Sequence, residues 1–172
     1  MIETIYIEKK IINHPRTKFI LSKFKNARHI EINRFGEIFN KRNQNFRIQK
    51  NNPDLILAFK NDSHVLPAPE GFGIGSSRNY YFSHMYNCIY DCRYCFLQGM
   101  YSSANYVVFV NFEDFETSLK KIIKENEVYT CVNEEIIKMS IYLNKSLKVI
   151  INRLLAFNFP TLRVTTFPLI LN

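Results

Sequence analysis

Three of the four cysteines in this chain lie close together, in the segment CIYDCRYCFLQG at positions 88–99. They are Cys88, Cys92 and Cys95, which gives the spacing C-x3-C-x2-C. Positions i, i+4 and i+7 also share one face of a helix, so a buried cysteine stripe is the structural alternative. Because the rest of the chain is nearly free of cysteine, the crowding favours a metal site over packing.

Two kinds of metal centre, a zinc ion and an iron–sulfur cluster, are candidates for this site. Zinc prefers a closed tetrahedral shell, so it would need a fourth ligand, for which His84 and Cys131 are candidates. The paired C-x2-C spacings typical of structural zinc sites are missing, however. A [4Fe-4S] cluster explains the odd number of thiols better, because three thiolates can hold three irons and leave the fourth open for a substrate or cofactor.

The composition indicates the class of protein and the cellular compartment in which these thiols are found. The chain has 172 residues, of which 47% are hydrophobic and 22% charged, as in soluble globular proteins. Charged residues appear within the opening MIETIYIEKK, and no stretch approaches eighteen uninterrupted apolar residues. The sequence therefore predicts neither a signal peptide nor a membrane-spanning helix, and a cytoplasmic protein whose thiols stay reduced.

The net charge of +8 is concentrated in the first third of the chain. Residues 1–60 contain 13 Lys and Arg against 5 Asp and Glu, whereas residues 61–172 contain 10 of each. A polyanion such as nucleic acid is the partner that this charge favours, since neutralised phosphates release counterions. The alternative is a solvated basic face with a compositional bias, as in NKRNQNFRIQKNN (40–52).

The elements before the cysteines predict a small α/β segment over residues 1–66. A helix is indicated by the spacing in PRTKFILSKFKN, and short strands by the runs TIYIEKKII, HIEIN, NFRIQ and LILAFK. Pro, Gly and Ser mark a linker over residues 67–79. Its GFGIG lacks the residues that complete a phosphate-binding loop, so a plain linker is favoured. NYYFSHMYN then predicts a strand that leads directly into the cysteines.

Downstream, strands and helices alternate in a core predicted over residues 80–172. YVVFVN (106–111) is typical of a strand buried on both faces of a parallel sheet, and FEDFETSLKKIIKEN of an amphipathic helix. VYTCV predicts another strand, Asn133 can cap a long helix, and TLRVTTFPLIL returns to strand character. This alternation predicts an α/β fold with a parallel sheet, either open or curved into a barrel.

The cysteine spacing with an aromatic residue before the last cysteine resembles the signature of the radical S-adenosylmethionine superfamily. Within it, NYYFSHMYNCIYDCRYCFLQG followed by YVVFVNFEDF is similar to the spore photoproduct lyase family. The resemblance covers residues 79–124 and implies a partial (β/α) barrel of radical SAM type, with the cluster loop after its first strand. The pattern fades beyond KKIIKEN, so we expect an incomplete barrel, shortened at its C-terminal end.

The resemblance also implies a chemistry and a set of site residues. Cys88, Cys92 and Cys95 would bind the [4Fe-4S] cluster, and Tyr94 would pack near the adenine of S-adenosylmethionine or else serve as a core aromatic. The family cleaves this cofactor reductively to a 5′-deoxyadenosyl radical, which reverses a thymine dimer in damaged DNA. A one-electron reductant such as flavodoxin or ferredoxin is the implied second partner.

Two positions depart from the family pattern. Phe96 stands where the lyases often carry tyrosine. The lyases also use a cysteine beyond the cluster as hydrogen donor; Cys131 is the remaining thiol here, and its surroundings VYTCVNEE favour a buried strand cysteine. Two alternatives to a DNA-repair lyase therefore stay open: a truncated, non-catalytic remnant, and a metal-stabilised nucleic-acid-binding module.

Overall fold

The computed structural model describes residues 2–67, 80–87 and 99–125. Strands and helices alternate in this part of the chain, and a short 3-10 turn, Lys9–Ile11, follows the first strand. The elements are β1 (Thr4–Glu8), α1 (Pro15–Lys23), β2 (Arg28–Ile32), α2 (Gly36–Phe39), α3 (Phe46–Gln49), β3 (Leu55–Ala58), β4 (Leu66–Pro67), β5 (Tyr80–Tyr81), β6 (Met85–Tyr86), β7 (Tyr106–Phe109) and α4 (Phe112–Glu125).

Five of these strands form one sheet in the order β2-β1-β3-β7-β6. The first four strands are parallel, and β6 runs antiparallel to β7 at its edge. The short strands β4 and β5 pair antiparallel in a separate two-stranded sheet. The α/β fold with a parallel sheet, predicted from the alternation of apolar runs, is confirmed.

The centre of the sheet holds the hydrophobic core. Every residue of β3 and β7 is buried, and their pairing runs from Leu55 with Tyr106 to Ala58 with Phe109. Strands covered on both faces need apolar side chains in both directions, which is why LILA and YVVF are continuous apolar runs. The prediction of a fully buried strand at YVVFVN is therefore confirmed.

The connection through α1 leads from β1 to β2, and the connection through α2 and α3 leads from β2 past β1 to β3. Because crossovers between parallel strands are right-handed as a rule, we expect these two connections, which run in opposite directions, to lie on opposite faces of the sheet. Arg16 of α1 donates to the carbonyl oxygen of Val110 at 2.9 Å and pairs with Glu113 of α4 at 2.7 Å. The helices α1 and α4 are thus joined, while α2 packs elsewhere, against aromatic rings described below.

Two local predictions are wrong. NFRIQ, predicted as a strand, forms the helix α3, which Asn45 caps by accepting a hydrogen bond from the backbone N–H of Ile48 at 3.2 Å. NYYFSHMYN, predicted as one strand, contains β5 and β6, which belong to different sheets. Short apolar runs do not separate helix from strand by periodicity alone.

Other predictions fall outside the described residues. These include the strand at VYTCV, the helix from Asn133 and the strand at TLRVTTFPLIL. The division into residues 1–66, 67–79 and 80–172 stays a prediction, and the main sheet contains strands from both sides of residues 67–79. Within the described part of the chain, no helix has the length and apolar character needed to cross a membrane.

Candidate functional site

The predicted ligands Cys88, Cys92 and Cys95, together with Tyr94 and Cys131, lie outside the described residues. The structure does describe the chain on both sides of the cysteines. Strand β6 ends at Tyr86, one residue before Asn87, and the chain is described again from Gly99 to the start of β7. Residues 88–98, here called the cysteine segment, therefore connect two neighbouring antiparallel strands.

Asn87 joins the two ends of the cysteine segment. Its Nδ2 donates to the carbonyl oxygens of Ser103 at 2.7 Å and Asn105 at 2.8 Å. Its φ of 58° lies in the left-handed region, which asparagine tolerates better than most residues. On the far side, Gly99 has a φ of 76° and open space around it, so backbone conformation rather than crowding favours glycine there. Two special backbone positions thus bracket the cysteine segment.

The returning chain is fastened to the first third of the protein. Gln49 of α3 accepts hydrogen bonds from the backbone N–H of Ala104 at 2.9 Å and from the hydroxyl of Ser103 at 3.4 Å. Asn105 accepts one from the backbone N–H of Asp54 at 3.0 Å. Ser103 and Asn105 are both buried. The base of the cysteine segment is therefore anchored to α3 and to the start of β3.

Five aromatic side chains pack beside this base, here called the aromatic cluster: Phe35, Phe39, Tyr86, Tyr101 and Phe109. The Tyr86 ring lies 5.1 Å from the Tyr101 ring and 5.0 Å from that of Phe109, and the Tyr101 ring lies 5.1 Å from that of Phe39, between ring centroids. Phe35 meets Phe109 edge-on at 5.5 Å. The aromatic cluster therefore joins residues before and after the cysteines into one packed unit.

Lys60 places a positive charge on the aromatic cluster. Its Nζ donates to the Tyr86 hydroxyl at 3.2 Å and lies 4.9 Å from the centre of the Phe109 ring, a cation–π distance. Desolvation by burial, followed by the neighbouring Tyr86, raises the pKa of Tyr101. Burial thus favours the neutral phenol of Tyr101 over its phenolate within the aromatic cluster.

His84, the candidate fourth ligand for zinc, packs among phenyl rings. Its ring meets that of Phe112 edge-on at 6.1 Å and lies 6.2 Å from that of Phe82. Desolvation lowers the pKa of His84 to about 4, so the imidazole is neutral at pH 7. Among the described residues there is no group of three or more His, Cys, Asp or Glu side chains that could hold a metal ion.

At the carboxyl ends of β1 and β3, where open α/β sheets often bind ligands, a buried carboxylate binds the backbone of the neighbouring loops. Strand order reverses between these strands, and the buried Glu8 stands at the end of β1. Its carboxylate accepts hydrogen bonds from the backbone N–H groups of Phe35 at 2.6 Å and Phe59 at 2.8 Å. Glu8 thereby satisfies two loop amides at the carboxyl ends of these strands.

A polar cleft of about 330 Å³ lies at the amino ends of the strands, opposite to the carboxyl ends at which Glu8 stands. Its lining comes from β1, from the starts of β3 and β7, and from α2, α3 and the turn between them: Tyr6, Ile38, Lys41, Arg42, Asn43, Gln44, Gln49, Asp54 and Asn105. Desolvation raises the pKa of Asp54, against hydrogen bonds from Thr4 that lower it. Desolvation and then the charge of Asp54 raise the pKa of Tyr6.

Comparison with protein-family models and with curated proteins finds no match for this sequence. Solved structures do match, and the likeness shows an α/β fold built on a parallel sheet that is similar to part of each matching structure. The matching structures are spore photoproduct lyases. A cysteine-to-alanine mutant is 18% identical with a TM-score of 0.56, and a tyrosine-to-phenylalanine mutant is 19% identical with a TM-score of 0.56.

A third lyase structure, a double mutant with bound AdoMet and dinucleoside spore photoproduct, is 18% identical with a TM-score of 0.57. Each comparison covers 73% of this chain and 36% of the lyase chain. The chain thus spans about a third of the length of these lyases. The fold expected from the sequence resemblance is confirmed.

Sequence reasoning missed the residues that hold the base of the cysteine segment. Asn87 carried one usable signal, since asparagine directly before the first cysteine is a residue that tolerates a left-handed backbone. Gln49 and Asn105 carried none, because their partners are distant in sequence and become neighbours only when β3 pairs with β7. The polar cleft was missed for the same reason.

Proposed function

We propose that this chain is a radical SAM iron–sulfur protein of the spore photoproduct lyase type, acting on a thymine photoproduct in DNA. One observation carries the proposal: a C-x3-C-x2-C segment stands between β6 and β7 of a fold that is similar to spore photoproduct lyases. One of these lyases was solved with AdoMet and a dinucleoside spore photoproduct, which supports S-adenosylmethionine as cofactor and DNA as substrate. Because the chain spans about a third of the length of those lyases, the comparison shows the fold, and the lyase activity as a whole is our proposal.

The donor set fits a [4Fe-4S] cluster. Cys88, Cys92 and Cys95 would supply three thiolates, the ligand that iron–sulfur clusters require, and leave one iron for the cofactor. When bound, the cluster supplies the electron that cleaves S-adenosylmethionine. The contribution of the protein is to hold the three thiols in one place, and the bonds of Asn87 and Gln49 at the base of the cysteine segment support that role.

The remaining assignments extend the same proposal. Tyr94 would pack against the adenine of the cofactor, and Cys131 is a weak candidate for the hydrogen donor. A one-electron reductant of the flavodoxin or ferredoxin kind would reduce the cluster. We propose a cytoplasmic location, because such a cluster and its free thiols need a reducing compartment.

Iron and sulfide content test the proposal. Anaerobically reconstituted protein should contain close to four irons and four sulfides and show a brown absorption that dithionite bleaches. Cys88→Ala, Cys92→Ala and Cys95→Ala should each abolish the absorption. Cys131→Ala is the matched control and should retain it.

Two results would contradict this assignment. One is stoichiometric zinc without uptake of iron, which would favour the metal-stabilised binding module. The other is equal loss of iron in all four cysteine variants, because Cys131 is predicted not to bind the cluster.

A further inference from the structure

Strand β2 forms one edge of the main sheet. It pairs with β1 on one side, and no strand in the described part of the chain pairs with its other side. The edge strand at the opposite end of the sheet, β6, has two residues, whereas β2 has five. Since an edge strand presents a row of N–H and C=O groups to which a further strand can add, β2 is the longer of the two edges open to such pairing.

The backbone of β2 shows which of its groups face that open edge. The N–H of Arg28 donates to the carbonyl oxygen of Glu3, the residue before β1, at 2.8 Å. Alternate residues of a strand direct their backbone groups to the same side, so Ile30 also faces β1, and His29 and Glu31 face the edge. Among the described residues, nothing bonds to the backbone N–H and C=O groups of His29 and Glu31.

The side chains of the same two residues are complementary in charge. His29 and Glu31 are both exposed and, being two residues apart, lie on one face of the sheet, whereas the half-buried Ile30 lies on the other face. Neither His29 nor Glu31 forms an ion pair or a side-chain hydrogen bond within the described ranges. If a second β2 is laid antiparallel about Ile30, a histidine therefore comes opposite a glutamate in both directions.

We propose that β2 pairs antiparallel with β2 of a second copy of this chain, about a two-fold axis at Ile30. In this register His29 of each protomer opposes Glu31 of its partner, and the two residues of each pair exchange both backbone hydrogen bonds. The imidazole donates to the opposing carboxylate on the exposed face. Ile30 meets its own copy in the closer, non-hydrogen-bonded pair, which shields both side chains from water.

The dimer formed in this way is weak and depends on concentration. A contact confined to one short strand is smaller than the roughly 1,200 Å² that stable interfaces bury. The dilute chain is therefore a monomer, and substitutions of exposed β2 residues change its association rather than its unfolding.

Sedimentation equilibrium of the full-length chain tests the inference, from about 1 μM to about 1 mM and under reducing conditions that exclude disulfide-linked dimers. The unmodified chain should change from monomer to dimer over this range. Glu31→Lys places a cation opposite His29, and His29→Glu places two carboxylates opposite each other. Each substitution should weaken dimerisation about tenfold, because attraction becomes repulsion in both cross-strand pairs.

An equimolar mixture of the two variants tests the register itself. When Glu31→Lys pairs with His29→Glu, the two substituted side chains oppose each other with opposite charge, and the remaining histidine and glutamate also face each other. The mixture should therefore dimerise at least as well as the unmodified chain, which also shows that both variants are folded. Glu37→Lys is the matched control, because it makes the same charge change at an exposed position of α2 and should leave dimerisation unaltered.

Three results would overturn the inference. The first is an unmodified chain that stays monomeric over the whole range. The second is equal weakening by Glu31→Lys and by the Glu37→Lys control, which would assign the effect to net charge. The third is a mixture that dimerises no better than each variant alone, which would contradict the antiparallel pairing of His29 with Glu31.

Discussion

Asn87 should determine how well the chain holds the base of the cysteine segment. Asn87→Ala removes two hydrogen bonds of 2.7 and 2.8 Å to backbone carbonyl oxygens. Each such bond contributes about 0.5–1.5 kcal/mol net, so their loss should lower the free energy of unfolding by about 1–3 kcal/mol. Alanine also adopts the left-handed conformation poorly, which adds about 1–2 kcal/mol at the observed φ of 58°.

Asn87→Gly separates these two contributions. Glycine accepts the positive φ without strain but cannot donate to Ser103 and Asn105, so it should lose the hydrogen-bond contribution alone. Asn61→Ala is the matched control, because Asn61 is exposed and its side chain accepts one bond from Lys10 at 3.1 Å. The control should change the free energy of unfolding by less than about 0.5 kcal/mol.

Urea unfolding and the rate of iron loss to a chelator are the assays. We expect stability to fall in the order unmodified protein, Asn87→Gly, Asn87→Ala, with iron lost faster from both variants than from the Asn61→Ala control. The reasoning is refuted if Asn87→Ala unfolds at the same urea concentration as the unmodified chain and releases iron at the same rate.

Two further predictions concern the ionisable side chains of Glu8 and His84. Glu8→Ala should lower the free energy of unfolding by about 3 kcal/mol or more, because the N–H groups of Phe35 and Phe59 lose a charged acceptor, whereas the exposed Glu31→Ala should have little effect in the same urea titration; equal effects would contradict the role of Glu8. The lowered pKa of His84, about 4 against an ordinary 6.5, favours the neutral imidazole in the folded state, so its contribution to stability is present above pH 6.5 and is lost as the pH falls toward 4. His84→Gln should flatten this part of the stability profile, and an NMR titration that placed the pKa of His84 near 6.5 would disprove the cause.

The sequence predicted the central elements because their signals are local. LILA and YVVF are continuous apolar runs, and they form the buried strands β3 and β7. The helix α4 follows from apolar residues at helical spacing with acidic residues in its first turn. In these segments burial and periodicity point to the same structure, so no knowledge of distant partners was needed.

The rest depended on pairing between distant residues. NFRIQ forms a helix that Asn45 caps, a local signal that the strand prediction overlooked, whereas the bond of Gln49 to the chain that returns from the cysteines joins residues distant in sequence. The antiparallel direction of β6 becomes apparent only from its pairing with β7, which lies about twenty residues further along the chain. The cysteine spacing could be read from the sequence, whereas Asn87, Gln49 and the cleft required the sheet.

Electron paramagnetic resonance of the reduced protein tests the central claim most directly, since it reports both the cluster and its open iron. The unmodified chain, reconstituted anaerobically and reduced with dithionite, should give the signal of a reduced [4Fe-4S] cluster. Adding S-adenosylmethionine should shift that signal, because the cofactor binds the iron that Cys88, Cys92 and Cys95 leave free. No cluster signal, or a cluster signal that the cofactor leaves unchanged, would contradict the account.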